Sequence, residues 1–342
     1  MKLVVKDIKR ETNDAVSIFF KNGNFFNKVK YKPGQFLTLH VPINNKIEKR
    51  SYSFSSNPYT DKDLKITVKQ VDKGLVSNFI CQNLKIGDAL EIDKPQGSFY
   101  VEPKKNEEKQ YVLFAGGSGI TPVFSIIKSV LTNEPKSKVL LIYANRDKTS
   151  IIFHQEILAL KEAYPNTFNV EHILAENKEP HENYHEGLAT NDLYVKILNK
   201  HHINFENNVY MICGPFGFME KTKEILINNH VKPNEIIVEV FKKPKVKVSG
   251  KDFMSDVEII FQGKTHQIQV PGDKSILRVA MANNIALPYS CRSGVCSTCK
   301  AVCVSGDIEM TAGHFLSQTE VDKGNILTCI SYPKSEKITI NL

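Results

Sequence analysis

Long apolar runs, a secretory leader and an even set of cysteines are all missing from this chain of 342 residues. The longest apolar runs, such as Val139 to Ala144, are far too short to cross a bilayer, which takes about 20 residues. Met1 to Asp7 contains no apolar leader core, and the seven cysteines cannot all be paired. We therefore expect a cytoplasmic protein in a reducing compartment, without membrane insertion.

Positive charge is in excess, with a formal net charge of +8, but much of it lies in one short segment. Residues 242–251 hold five lysines and no acid, whereas residues 253–342 hold eight basic and eight acidic residues. A lysine-rich segment with Pro and Gly between patterned regions is typical of a solvated linker, which we predict over residues 242–252. A dock for an acidic partner is the alternative. This distribution does not favour nucleic acid as a partner.

The pattern of strands and helices changes twice along the chain, and the length suits two or three domains. In residues 1–104, short alternating runs between turn residues predict an antiparallel β-barrel, with one helix near Leu75 to Leu84. In residues 108–241, buried strands alternate with helices, which predicts a parallel sheet with crossover helices. Residues 253–342 fit a small β-grasp unit. The predicted fold class is therefore multidomain α/β and β.

Three cysteines crowd one loop, Cys291, Cys296 and Cys299, and a fourth, Cys329, stands alone near the C-terminus. The spacing C-x4-C-x2-C followed by a distant cysteine suits a plant-type [2Fe-2S] cluster, in which four thiolates hold two irons. Gly294 and small hydroxyl residues leave room for backbone N–H groups to approach the cluster. The alternatives are a disulfide pair or a structural zinc site, although zinc usually shows two short CxxC or CxxH pairs.

Two polar stretches interrupt the predicted strands of residues 1–104. The stretch 50–56 (RSYSFSS) places a guanidinium, an aromatic ring and hydroxyls in succession, and 74–77 (GLVS) falls where a helix would begin. A guanidinium can bind two phosphate oxygens, a tyrosine ring can stack on an isoalloxazine, and free N–H groups at a helix N-terminus favour an anion. Together the stretches predict a flavin diphosphate site, with an edge strand and a serine-rich turn as the alternative.

A glycine-rich turn at residues 116–122 (GGSGITP) separates the first strand and helix of the α/β region. Such a turn lets a pyrophosphate approach backbone N–H groups, and Pro122 suits the first helical position. The spaced GxGxxG pattern is absent, so a tight turn without a ligand is the alternative. Residues 213–215 (CGP) end a later strand, where ligands of open parallel sheets bind. Arg146 would meet a ribose 2′-phosphate, unless it is simply solvated.

The order of these motifs resembles one known family. Over essentially its whole length the chain is similar to the ferredoxin:NADP reductase superfamily with a C-terminal plant-type ferredoxin domain, on the motifs RSYS, GLVS, GGSGITP, CGPFGFM, VEVF, CRSGVCSTC and LTC. With YANR at residues 143–146, it resembles most the reductase components of phenylacetyl-CoA epoxidase and related oxygenases. The resemblance implies an FAD domain over residues 1–104, an NAD(P) domain over 108–241 and a ferredoxin domain over 253–342.

The resemblance also implies a role for each matching residue. The Arg of the first motif would bind the flavin pyrophosphate, its Tyr and Ser would contact the isoalloxazine, and the aromatic of VEVF would stack on the flavin. The implied cofactor-binding residues are Arg50, Ser51, Tyr52, Ser53, Gly74, Leu75, Val76, Ser77, Gly116, Gly117, Gly119, Thr121, Pro122, Arg146, Cys213, Gly214, Pro215 and Phe241, and the cluster ligands are Cys291, Cys296, Cys299 and Cys329.

Together these cofactors define an electron path. Nicotinamide gives up two electrons as a hydride, whereas a [2Fe-2S] cluster accepts one at a time, and a flavin between them resolves the mismatch. The sequence therefore predicts transfer from NADPH or NADH through FAD and the cluster to an acceptor protein such as an oxygenase, with no catalytic proton donor. Arg146 favours NADPH. The alternatives are another acceptor (a desaturase, a ferredoxin or a haem oxygenase) or a ferredoxin-like carrier without activity, against which the intact glycines of GGSGITP argue.

Overall fold

The chain forms two compact units, Met1–Val240 and Phe241–Leu342. The computed structural model describes residues 1–23, 28–176, 182–241, 253–294, 296–311 and 316–342. The linker predicted over residues 242–252 therefore lies outside the described residues. None of the described helices is both long and apolar enough to span a membrane.

An antiparallel sheet of six strands opens the first unit, in the order β4-β3-β6-β1-β2-β5. Its elements are β1 (Lys2–Thr12), β2 (Ala15–Phe20), β3 (Phe36–Ile43), β4 (Lys46–Ser53), β5 (Leu64–Lys69), helix α1 (Leu75–Asn83) and β6 (Ala89–Ile92). A bridge between Phe54 and Ile66 joins the end of β4 to β5 and closes the sheet, as predicted for a barrel. The polar stretch 50–53 is itself part of a strand, with Arg50 opposite Leu39 of β3.

A parallel sheet in the order β10-β9-β8-β7-β11-β12 completes the first unit. Its strands are β7 (Gln110–Gly116), β8 (Lys138–Asn145), β9 (Phe168–Leu174), β10 (Tyr184–Glu186), β11 (Asn208–Cys213) and β12 (Ile236–Glu239), and its helices are α2 (Ile120–Asn133), α3 (His154–Ala163), α4 (Asn191–Lys200) and α5 (Phe216–Asn228). The strand order reverses at β7, which has β8 on one side and β11 on the other. Ligands of open α/β sheets bind beyond the carboxyl ends of the strands at such a point.

The glycine-rich turn departs from the prediction in one detail. Gly117–Gly119 forms a 3-10 turn, and α2 begins at Ile120, two residues before the predicted start, so Pro122 is the third helical residue and not the first. The missing N–H of Pro122 still costs no helical hydrogen bond, because the first turn has no intrahelical acceptors for its N–H groups.

The second unit is a β-grasp fold with the strand order β14-β13-β19-β15-β17 and a separate pair, β16-β18. Its elements are β13 (Met254–Phe261), β14 (Lys264–Pro271), α6 (Ile276–Ala282), β15 (Lys300–Ser305), β16 (Ile308–Met310), α7 (Gln318–Asp322), β17 (Asn325–Leu327), β18 (Ser331–Pro333) and β19 (Lys337–Asn341). The predicted hairpin is β13-β14, and the last strand lies parallel to β13. Ser275 precedes α6, but its side chain makes no capping hydrogen bond. The cysteine loop runs between α6 and β15.

Candidate flavin, nucleotide and cluster sites

The polar stretch of β4 presents a cation, a ring and hydroxyls on the barrel. The Arg50 Nη1 donates to the carbonyl of Lys49 at 2.7 Å and to Glu48 Oε2 at 3.2 Å, and its side chain stays partly exposed. Burial raises the pKa of the Tyr52 phenol, which is therefore neutral, and Ser53 is buried. A guanidinium held by its neighbours beside an aromatic ring fits the phosphate and ring system of a flavin.

The N-terminus of α1 offers backbone donors. Gly74 is the N-cap, and no side chain caps the helix. A Cβ on Gly74 would come within 2.6 Å of the Ser77 hydroxyl, which accepts from the Val71 N–H at 3.2 Å. The first N–H groups of a helix lack intrahelical partners, so a glycine cap leaves them accessible to an anion. In the same turn the buried Asn78 Oδ1 has no hydrogen-bond partner within the part of the chain that the structure describes, which is a second sign that a polar ligand belongs here.

A cavity of about 700 Å³ lies at the carboxyl ends of β7, β8, β9 and β11. Four predicted residues line it: Gly116, Gly117, Arg146 and Pro215. The other lining residues are Lys69, Ala144, Asn145, Ile173, Ala175, Gly187, Leu188, Ala189, Thr190, Gly217, Phe218 and Lys221. The volume and mixed lining suit a nucleotide, which needs an apolar wall for its base and a few polar groups.

The remaining predicted residues of the turn do not line the cavity. A Cβ on Gly119 would lie only 2.1 Å from the carbonyl oxygen of Cys213, so the turn and the end of β11 are in backbone contact. The Thr121 hydroxyl donates to the Ser118 carbonyl at 3.1 Å, and the Tyr143 hydroxyl donates to the Gly117 carbonyl at 3.0 Å. These residues hold the turn at the switch point and leave its outer face to the ligand.

The segment from β10 to α4 is the part of the cavity wall that the motifs missed. Gly187 to Thr190 line the cavity, and Leu188 is 76% exposed. The Thr190 hydroxyl accepts from the Leu193 N–H at 3.2 Å and so caps α4. Thr190 before a helical stretch could have been predicted as the cap from the sequence. The position of this wall depends on β10, and a strand of three residues is too short to show a periodic pattern.

Arg146, at the carboxyl end of β8, extends into solvent with its side chain 69% exposed. Its Nε donates to Asp147 Oδ2 at 2.9 Å. The structure therefore places this cation at the cavity as predicted, but already paired with a carboxylate.

A buried carboxylate ties β9, β10 and α4 together. Both oxygens of the fully buried Glu171 are used: Oε2 accepts from His185 Nε2 at 2.8 Å, and Oε1 accepts from His201 Nε2 at 2.6 Å and Lys200 Nζ at 2.8 Å. Lys200 also donates to Asn183 Oδ1 at 2.7 Å. Burial raises the pKa of Glu171, but the hydrogen bonds from His185, His201 and Lys200 outweigh it and lower the pKa well below its usual value of 4.5. The network anchors the edge strand that leads into the cavity wall.

Replacing Glu171 by Gln should lower the free energy of unfolding of the first unit by about 1–3 kcal/mol, because buried donors lose a charged acceptor. Since the pKa of Glu171 is lower when folded than when unfolded, its contribution is complete above about pH 4.3 and is lost as the pH falls through the folded value. Urea unfolding followed from about pH 6 down to about pH 2 should show a shallower acid-side decline in the variant. Equal slopes in both proteins would contradict the role given to Glu171. Exposed Glu162, at the end of α3, supplies the control variant Glu162→Gln.

The four predicted cluster cysteines come together between α6 and β15 and after β17. All are free thiols, and the sulfurs of Cys291 and Cys296 are 3.1 Å apart. Hydrogen bonds from Cys296 and Cys329 lower the pKa of Cys291, and hydrogen bonds to Cys291 and Cys299 raise that of Cys329. Among the described residues no three His, Cys, Asp or Glu side chains are arranged around a single metal ion. A plant-type cluster differs, because its four thiolates are divided between two irons.

The loop around these sulfurs has a backbone that suits a cluster. Arg292 and Gly294 have positive φ angles of 56° and 73°, and the Ser293 N–H points to the Cys291 sulfur at 3.4 Å. A Cβ on Gly294 would meet Ile330 Cδ1 at 2.5 Å, so only glycine fits there. N–H groups directed at sulfur are the second shell expected of an iron–sulfur site. Four converging thiols and this loop fit a [2Fe-2S] cluster.

Phe241 is the first residue of the second unit, and its side chain is 39% exposed. Cys303, a fifth cysteine of this unit, lies on β15 and packs against the core. Its position outside the cysteine loop makes it a natural control for the cluster ligands.

Family comparisons cover most of the chain in three parts. Residues 2–100 match the oxidoreductase FAD-binding domain, residues 113–224 the oxidoreductase NAD-binding domain, and residues 259–334 the 2Fe-2S iron-sulfur cluster binding domain. These domains support FAD, NAD(P)H and a [2Fe-2S] cluster as the cofactors, as the sequence predicted.

Full-length relatives have the same organisation. The chain is 34% identical to the ferredoxin reductase component of 3-ketosteroid-9-alpha-monooxygenase from Rhodococcus rhodochrous, over 99% of this chain and 95% of the relative. It is 30% identical to one of the subunits of 1,2-phenylacetyl-CoA epoxidase from Escherichia coli, over 99% and 96%. The solved structure of phthalate dioxygenase reductase has the same fold, with a TM-score of 0.68, 22% identity and coverage of 100% and 98%.

Fold, sites and relatives together define a reductase that takes electrons from a nicotinamide nucleotide through a flavin to an iron–sulfur cluster. The chain belongs to the ferredoxin:NADP reductase superfamily, in the group that carries a C-terminal plant-type [2Fe-2S] domain. The predicted family and fold class are confirmed.

Proposed function

We infer that this chain is the reductase component of an oxygenase system and that an oxygenase takes the electrons from its [2Fe-2S] domain. The observation that carries this is the presence, in one chain, of a nucleotide cavity at a sheet switch point and a loop of four converging thiols. When bound, FAD accepts a hydride from the nicotinamide and the cluster passes single electrons onward. The chain itself binds and orients these groups, and no side chain needs to act as an acid or base.

The flavin is proposed to bind between the polar stretch of β4 and the N-terminus of α1. The Arg50 guanidinium would donate two parallel hydrogen bonds to the pyrophosphate, and the N–H groups of residues 74–77 would add backbone donors. Tyr52, which is neutral and partly buried, would face the isoalloxazine, with Ser51 and Ser53 beside it. Tyr52 and Cys81 of α1 both pack against the barrel core, so one scaffold positions both halves of the site.

Replacing Arg50 by Ala should weaken FAD binding by about 10–100-fold, because a charge-assisted hydrogen bond is worth about 1.5–3 kcal/mol. Fluorescence titration of the apoprotein with FAD measures this. Lys46→Ala is the matched control, since Lys46 is an exposed cation at the other end of the same strand. An unchanged FAD affinity in the Arg50 variant would remove this residue from the site.

The dinucleotide is proposed to bind across the switch point. Its pyrophosphate lies on the turn of Gly116, Gly117 and Gly119, which Thr121 and Pro122 lead into α2. Its nicotinamide reaches the carboxyl end of β11, at Cys213, Gly214 and Pro215. Phe241 is proposed to cover the flavin until the nicotinamide arrives. We also propose the domain boundaries given above: an FAD domain over residues 1–104, an NAD(P) domain over 108–241 and a ferredoxin domain over 253–342.

For the acceptor we propose a phenylacetyl-CoA epoxidase, as the motifs suggest. A 3-ketosteroid 9α-monooxygenase is the second candidate, favoured by the 34% identity to a reductase component of that name. The test is product formation when this chain and NADH or NADPH are mixed with the purified oxygenase of each system. Turnover with one oxygenase selects it. Failure with both, while cytochrome c is still reduced, would point to another acceptor such as a desaturase, a ferredoxin or a haem oxygenase. The expected cytoplasmic location stays a prediction.

A further inference from the structure

The strand order decides where each half of a bound dinucleotide lies. With the pyrophosphate at the end of β7 and the nicotinamide toward β11 on one side, the adenosine must extend over β8 and β9 on the other. The cavity continues in this direction along Asn145, Arg146, Ile173 and Ala175. This placement rests on the proposed function. It puts the adenosine ribose, where NADH carries a 2′-hydroxyl and NADPH a 2′-phosphate, next to Arg146.

The cations that line this end of the cavity, Lys69 and Arg146, are already paired with carboxylates. Arg146 is paired with Asp147 at 2.9 Å, and Lys69 with Asp14 at 3.4 Å. Glu176 lies two residues after the end of β9, and its N–H donates to the Arg146 carbonyl at 2.8 Å. Hydrogen bonding to Asp147 raises the pKa of Arg146, and the charges of Glu176 and Asp14 also raise it. Among the described residues, both cations at this end therefore have a carboxylate partner, and the third lining cation, Lys221, is paired with Glu224 on α5.

The Asp147 carboxylate is fixed and charged. It caps the 3-10 turn Lys148–Ser150, because its Oδ1 accepts from the Ser150 N–H at 2.9 Å and from the Thr149 hydroxyl at 2.7 Å. Hydrogen bonds from Thr149 and Arg146 lower the pKa of Asp147 to about 2. The exposed Arg146 side chain can change rotamer toward a ligand, whereas the Asp147 side chain cannot move away without losing the hydrogen bonds that cap the 3-10 turn. An anion that approaches Arg146 therefore also approaches this carboxylate.

We propose that the chain uses NADH in preference to NADPH and that Asp147 and Glu176 set this preference. The 2′-hydroxyl of NADH can donate a hydrogen bond to a carboxylate, whereas the 2′-phosphate of NADPH brings nearly two more negative charges and has no such donor to offer. Specificity then comes from repulsion of the wrong ligand as well as attraction of the right one. By sequence, residues 177–181 carry one lysine and one glutamate and add no net charge.

The test is kcat/KM of the full-length holoenzyme for each dinucleotide, measured by cytochrome c reduction. NADH should be more efficient than NADPH by about tenfold or more, which corresponds to about 1.4 kcal/mol. The double variant Asp147→Asn and Glu176→Gln should narrow that ratio by about tenfold, mainly through a lower KM for NADPH. Asparagine keeps the cap, since it also accepts the Ser150 N–H. In the same variant, the inhibition constant of NADP⁺ as a competitive inhibitor should fall relative to that of NAD⁺.

Glu162→Gln is the control, because it removes one carboxylate just before the amino end of β9, whereas the cavity lies at the carboxyl ends of the strands. It should leave the ratio of the two efficiencies unchanged. Equal or better use of NADPH by the wild type, or an unchanged ratio in the double variant, would overturn the inference while the proposed function stands. Failure of both dinucleotides to reduce the flavin would instead overturn the proposed function.

Discussion

Replacing Cys329 by Ser should abolish the visible absorbance of the cluster and stop electron delivery to cytochrome c. The loss should exceed the roughly 10–100-fold effect of removing an outer-shell partner of a metal site, because a direct ligand is removed. Reduction of the flavin by NADH should persist. The FAD-binding and NAD-binding domains, residues 2–100 and 113–224, lie in the unit Met1–Val240, whereas Cys329 lies in the other unit.

Cys303→Ser is the matched control for this experiment. Cys303 is also a free cysteine of the second unit, but it packs on β15 outside the converging sulfurs. It should leave both the cluster bands and cytochrome c reduction intact. If the Cys329 variant kept its cluster while the Cys303 variant lost it, the ligand set would be wrong.

Replacing Gly119 by Ala should disrupt the nucleotide site severely, although it adds only one methyl group. The added Cβ would lie 2.1 Å from the Cys213 carbonyl oxygen and 2.6 Å from the Gly214 nitrogen. These are backbone atoms of the neighbouring strand end and cannot turn away as a side chain can. Overpacking of this kind costs about 1–3 kcal/mol or more. A shift of about 1 Å at the nicotinamide site would slow reduction of the flavin by about 100-fold.

Stopped-flow bleaching of the flavin by NADH and the urea midpoint of the first unit measure these two effects. Gly217→Ala is the control for stability, because a Cβ there meets nothing within 4 Å. It should keep the urea midpoint at or above the wild-type value. A Gly119 variant with normal stability and a normal rate of flavin reduction would show that the turn tolerates a methyl group and that the close approach is unimportant.

The sequence predicted those parts of the molecule that local chemistry determines. The cysteine spacing predicted which four sulfurs converge, since ligand number and loop length restrict the choice. The change from alternating to continuous apolar runs predicted the antiparallel and parallel sheets, because one face is buried in the first and both in the second. The hairpin of β13 and β14 followed from its turn at Gly263.

Other parts depend on tertiary contacts and were missed. The three-residue strand β10 carries no periodicity of its own and is held by Glu171, His185 and Lys200 from three segments. The wall from Gly187 to Thr190 was therefore not found. The start of α2 was predicted two residues too late, at Pro122, because the glycine-rich sequence does not show that the helix follows directly on the 3-10 turn Gly117–Gly119. The partner of Arg146 was also missed, although Asp147 is the next residue along the chain.

One chain carries electrons from a nicotinamide nucleotide through FAD to its own [2Fe-2S] cluster. The most direct measurement is an anaerobic titration of the purified holoprotein with NADH, and separately NADPH, followed by visible absorbance. The predicted result is bleaching of the flavin followed by loss of the cluster bands, with faster reduction by NADH than by NADPH. Reduction of the flavin while the cluster bands stay unchanged would contradict the path.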